Sequence, residues 1–208
     1  VDDEVVRLYE VYSCHQHNPC GARLRDILAR GLRMGVVAGS DTHRLPLGSL
    51  CPDPDSIWRQ PPAVDGEAVS QSIQKKNGLQ ATFAPELSRP ALWQAMLDRF
   101  TYGTTGARIV MLFSVAGGRM GEVLDQPAGR RPEITVRVGG TADLDEVVVF
   151  RHDGRRWGEA LRRSPRRPVV ELRFRDRPLR RPTVYFLRVR QADGERGWSS
   201  PVWLRPIT

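Results

Sequence analysis

Apolar positions change their spacing along this chain, and the changes mark its elements. Val5 to Ser13 is rich in Val and Tyr and reads as a strand. Ala22 to Leu32 places Leu24, Ile27, Leu28 and Leu32 on one face at helical spacing. Met34 to Ala38 is a short apolar run that ends in Gly39-Ser40-Asp41. Two buried strands joined by a helix predict a parallel pair with a right-handed crossover. His43 to Asn77 is a long stretch punctuated by Pro and Gly, of the kind that serves as a lid, a binding loop or a disordered segment. Gly78 to Ala84 resumes as a strand, and Glu86 to Phe100 reads as a helix with Pro90 in its first turn. Leu92, Trp93, Met96 and Phe100 form the predicted apolar face of that helix, and Tyr102 to Gly106 reads as a tight polar turn.

Beyond Ala107 the helical spacing stops. Strand-like runs recur at 109–115, 134–138, 147–151, 169–174 and 184–190, separated by Gly, Pro and Asp clusters. Asp153-Gly154 has the composition of a hairpin turn. Short strands with turn signals predict an antiparallel sandwich. The expected division is therefore an α/β part over 1–107 and a β-rich part over 108–208. No internal repeat or low-complexity tract interrupts either part.

Composition narrows the function classes. No run approaches the ~18 apolar residues of a membrane helix. The net charge is +8 in 208 residues, and it is uneven. Through Gly106 there are 11 basic and 12 acidic residues; the remainder holds 21 and 12. Only Lys75 and Lys76 are lysines, a bias that codon usage in a GC-rich genome produces. The arginines are spread through strands and turns without interleaved aromatic platforms, which argues against nucleic acid as the partner. Cys14, Cys20 and Cys51, odd in number and irregularly spaced, do not describe a disulfide framework. The chain opens at Val1 inside a strand-like stretch, so the expectation is a portion of a longer protein. The sequence leaves the compartment and the oligomeric state open.

Candidate chemistry gathers where the two parallel strands end, because such edges collect functional groups in α/β folds. Asp41 and His43, two apart, can turn into one cavity, and a carboxylate with an imidazole suits Zn, Mn or Fe. Arg44 could pair with an anionic substrate through its planar fork. The same letters also occur where an Asp caps a turn beside a surface His. His15 lies just past the end of the first strand, within Cys14-His15-Gln16-His17-Asn18-Pro19-Cys20. That loop could hold a structural zinc by itself, contribute a ligand to the Asp41 site, or be a polar loop with buried cysteines. His152 falls in the predicted hairpin and is assigned no catalytic role.

Three stretches carry a resemblance. They are Tyr9 to His15 with Gly31 to Arg44, Gly78 to Ile109 with its Tyr-x-Thr-Thr-Gly-x-Arg-Ile block, and Tyr185 to Trp203. Together they resemble the C-terminal portion of a metal-dependent hydrolase of the PHP (polymerase and histidinol phosphatase) superfamily, in a bacterial branch catalogued as a domain of unknown function. The resemblance implies a distorted (βα)7 barrel with up to three divalent metals, hydrolysing phosphoesters of small anionic substrates through metal-activated water. It implies Asp41 and His43 as the final D-x-H ligands and His15 as the ligand after the preceding strand, while His17 has no counterpart. The superfamily's opening H-x-H motif has no match here. The alternative expectation is a non-catalytic sandwich module attached to a barrel remnant.

Overall fold

The computed structural model describes residues 5–12, 21–39 and 78–208. The first part of the fold is β1 (Leu8–Tyr12), α1 (Gly21–Ala29) and β2 (Gly35–Ala38). Next come β3 (Leu79–Thr82), α2 (Arg89–Leu97) and β4 (Thr101–Thr104). Strands then follow without a helix: β5 (Val110–Val115), β6 (Gly118–Arg119), β7 (Val123–Pro127), β8 (Glu133–Gly139) and β9 (Leu144–His152). The last are β10 (Trp157–Arg163), β11 (Val169–Arg175), β12 (Thr183–Gln191), β13 (Arg196–Ser199) and β14 (Val202–Ile207).

Two sheets pack face to face. The larger runs β10-β9-β12-β13-β4-β3, with β14 pairing β12 and β7 pairing β14. The smaller runs β11-β8-β5-β6. Period-2 alternation in β8 sends Ile134, Val136 and Val138 inward and Arg137 outward. Opposite them lie Val147 and Val149 of β9 and Tyr185, Leu187 and Val189 of β12. The alternate residues Val148, Phe150, Val184 and Phe186 are also buried, against Val11 of β1, Val36 of β2, and Leu24 and Leu28 of α1. β9 and β12 are thus covered on both faces, which is why their sequences are near-continuous apolar runs rather than alternating ones.

The fold departs from the expected (βα)7 barrel. Among the described residues the architecture is mostly β, with two helices and largely antiparallel sheets. A barrel of that type needs a helix after each strand, whereas tight turns such as Asp153-Gly154, with Gly154 at φ +79°, can join only antiparallel neighbours. β1 and β2 do pair in parallel through α1, as the pattern predicts. Tyr102 to Gly106 is no isolated turn, since Tyr102 to Thr104 lie in β4, a fully buried central strand between β3 and β13. In α2 the buried residue is Ala95, and Trp93 is 60% exposed, so the inward face is rotated from the predicted one. Ser88 caps this helix by accepting from the Ala91 N–H.

Candidate functional site at the ends of the parallel pair

β1 and β2 run side by side, with Tyr12 opposite Ala38 at their C-terminal ends. The Gly39 N–H donates to the Tyr12 carbonyl at 3.0 Å, and the Gly78 N–H donates to the Gly39 carbonyl at 3.2 Å. Three chain passages therefore meet at one edge: the exit after Tyr12, the exit after Gly39 and the return at Gly78. Glycine is sterically required at the return. A Cβ on Gly78 would lie 2.6 Å from the Gly39 carbonyl and 2.9 Å from the Tyr12 ring. The Glu10 carboxylate reaches the same edge, where a Cβ on Gly39 would stand 2.7 Å from Glu10 Oε1. Glu10 was not singled out by motif. The signal that points to it is its place in β1, opposite Val37 and two residues before the strand end, within side-chain reach of the glycine exit.

Buried hydroxyls hold the edge. Val36 turns its N–H and C=O away from β1, toward β4, where an unpaired buried backbone would be costly. Two hydroxyls satisfy it. The Val36 N–H donates to Ser200 Oγ at 2.8 Å, and Thr101 Oγ1 donates to the Val36 carbonyl at 2.6 Å. The two oxygens are 3.1 Å apart. A hydroxyl carries one proton, and that of Thr101 is committed to Val36, so Ser200 donates to Thr101 and the three groups form a closed ring. At Gly103 the end of β2 approaches β4 so closely that a Cβ would lie 2.9 Å from the Ala38 Cβ. Thr101 and Gly103, with Ser200, thus dock the parallel pair on the large sheet.

His15, Asp41, His43 and Arg44 lie outside the described residues, as do His17 and the three cysteines. Among the described residues, no group of three or more His, Cys, Asp or Glu side chains could hold a metal. His152 is buried, its ring 5.0 Å from that of Trp157 in the strand pairing at the end of β9, a packing role. No described helix is long and apolar enough to cross a membrane.

Comparison with known proteins corrects the expected superfamily. Residues 52–137 match a family described as a protein of unknown function (DUF3604), and nothing that matches carries the PHP description. An uncharacterized protein of Chlamydia pneumoniae is 32% identical over 154 residues, covering 65% of this chain and 24% of that protein. Uncharacterized proteins of Chlamydia trachomatis and Chlamydia muridarum are 26% and 27% identical, each over 97% of this chain and 34% of their own length. The chain thus spans between 24% and 34% of the relatives it matches. No solved structure matches it.

Proposed function

We propose that the chain carries part of a metal-dependent hydrolase site for phosphoesters. His15, Asp41 and His43 serve as ligands of a divalent ion (Zn, Mn or Fe), and Arg44 holds the anionic group of a small substrate. The supporting observation is the convergence at the strand ends. His15 follows Tyr12 by three residues and Asp41 follows Ala38 by three, and three residues of chain reach at most about 10 Å. Tyr12 and Ala38 are direct neighbours, so both donors start from one edge, and Glu10 adds a carboxylate there. The donor set of imidazoles with a carboxylate suits a borderline divalent ion. A divalent ion held there supplies an acidified water as the nucleophile near neutral pH. Arg44, planar and always charged, matches phosphate bidentately and fixes the ester against the ligands.

Metal content by mass spectrometry on the purified chain and on Asp41→Ala/His43→Ala tests this reading. Stoichiometric Zn, Mn or Fe that the double variant lacks is the expected result. Metal-free wild-type protein, or metal that survives the double substitution, refutes the reading.

A further inference from the structure

The arginines spread along the sequence are gathered by the fold. The loops 128–132, 153–156 and 176–182 all lie at one end of the sandwich, where β7, β9 and β11 finish and β8, β10 and β12 begin. They carry Arg130, Arg131, Arg155, Arg156, Arg177, Arg180 and Arg181, all exposed, against two acids, Asp153 and Asp176. Both acids are committed internally. Asp176 is buried, accepts from Arg151 at 3.2 Å and from the Tyr185 hydroxyl at 3.0 Å, and so holds the loop to β9 and β12. Asp153 accepts from the backbone N–H groups of Arg155 and Arg156. Burial works to raise the Asp153 pKa, but those bonds and the Arg151 charge outweigh it and keep the carboxyl below its ordinary range. Backbone bonds from Gly129 to Leu179, from Leu179 to Arg130 and from Asp176 to Pro132 lock two of the loops together.

The opposite end differs. Its loops 105–109, 140–143, 164–168 and 192–195 hold Arg108, Arg166 and Arg167 against Asp143, Asp193 and Glu195, three of each sign. Codon usage sets how many arginines a chain has, and not to which end folding brings them. The edge formed by Tyr12, Gly39 and Gly78 lies toward this second end, because Leu79 pairs with Thr104, whose successor Thr105 bonds Glu195. β12 alone, nine residues at ~3.3 Å each, separates the two ends by roughly 30 Å.

We propose that the arginine-rich end is a docking surface for an anionic phospholipid membrane. It seats the sandwich on the headgroups with the Gly39–Gly78 edge turned away from the bilayer. Guanidinium forks match headgroup phosphates in pairs. The seven arginines are spread over three loops at one end of the sandwich, an arrangement that can meet a plane of phosphates with several charges at once. No loop of this end presents an aromatic ring on which a base could stack. Attraction of basic residues to an anionic leaflet is worth about fivefold in partitioning per charge and fades within a Debye length.

The test is flotation of the 208-residue chain with phosphatidylcholine vesicles, with and without added phosphatidylglycerol, beside a duplex DNA titration. The protein is expected to float only with the anionic vesicles and to be released as salt rises toward about 1 M, where the Debye length is ~3 Å. Removing four charges with Arg155→Gln/Arg156→Gln/Arg180→Gln/Arg181→Gln is expected to lower partitioning several-hundredfold, with circular dichroism unchanged. Arg166→Gln/Arg167→Gln at the other end is expected to bind as wild type. The proposal is overturned by failure to float with anionic vesicles, by flotation that survives the fourfold substitution, by equal loss in the Arg166/Arg167 variant, or by DNA binding at lower protein concentration than vesicle binding.

Discussion

Thr101→Val removes one oxygen from a fully buried site and leaves its shape intact. No cavity forms, so the cost is that of unmade hydrogen bonds. The Val36 carbonyl loses its donor and the Ser200 hydroxyl loses its acceptor, at a fully buried site. A buried polar group left unpaired costs about 1–3 kcal/mol. Ser200 can rotate to recover part of this, so the expected loss is about 2–3 kcal/mol, or roughly 4–12 °C in Tm for a chain of this size. Ser200→Ala orphans the Val36 N–H instead, and is expected to cost about 1–3 kcal/mol. The two losses share Val36, so the double variant is expected to cost less than their sum. Urea unfolding followed by the fluorescence of buried Trp198, with hydrogen exchange at the Val36 amide, measures both effects. A Thr101→Val midpoint within experimental error of wild type, or strict additivity in the double variant, refutes the closed ring.

Two further outcomes follow from buried charge. Asp176→Ala leaves Arg151, whose side chain is 6% exposed, with only its longer 3.9 Å pairing to Asp153, and is expected to destabilise by about 3 kcal/mol in urea unfolding; Arg151→Met in the same chain is expected to restore part of the loss. Glu146 bonds Arg188 at 2.5 Å and also pairs with Arg162; burial raises its pKa, but these partners outweigh it and leave the pKa lowered. A lowered folded-state pKa contributes stability above the unfolded value, ~4.3, that is lost as pH falls through the folded one. The cost of Glu146→Gln is therefore expected to be full at pH 7 and to shrink toward pH 3 in parallel urea titrations, and a constant cost at both pH values contradicts this assignment.

Where a stretch is covered on one face, its pattern was legible: Ile134, Val136 and Val138 alternate with polar residues, and β8 is where they predict a strand. Helix α1 was legible for the same reason, with Leu24 and Leu28 both buried. β4 was hidden because its burial is polar. Thr104 lies in the predicted turn and Thr101 just before it, and their role shows only when the backbone groups they serve, Ala107 and Val36, are placed beside them. β10 was hidden because Glu159, Arg162 and Arg163 charge an edge strand, which discourages further pairing and also conceals the strand in sequence. The barrel expectation came from the resemblance; one parallel unit, β1-α1-β2, is present, and its neighbours pair antiparallel. At the candidate site, the strand-end positions were readable from the apolar runs, whereas Glu10 needed the approach at Gly39 to be seen.

The bond from Gly78 to Gly39 has an evolutionary consequence. It joins the two glycines at a point already fixed by β1, β2 and β4, so their spacing is set independently of the length of chain between them. Doubling such a length costs only about 0.6 kcal/mol of closure entropy. A change of length between Gly39 and Gly78 therefore costs little closure entropy at this junction. The junction is a point at which a lineage can vary chain length while the two glycines keep their places.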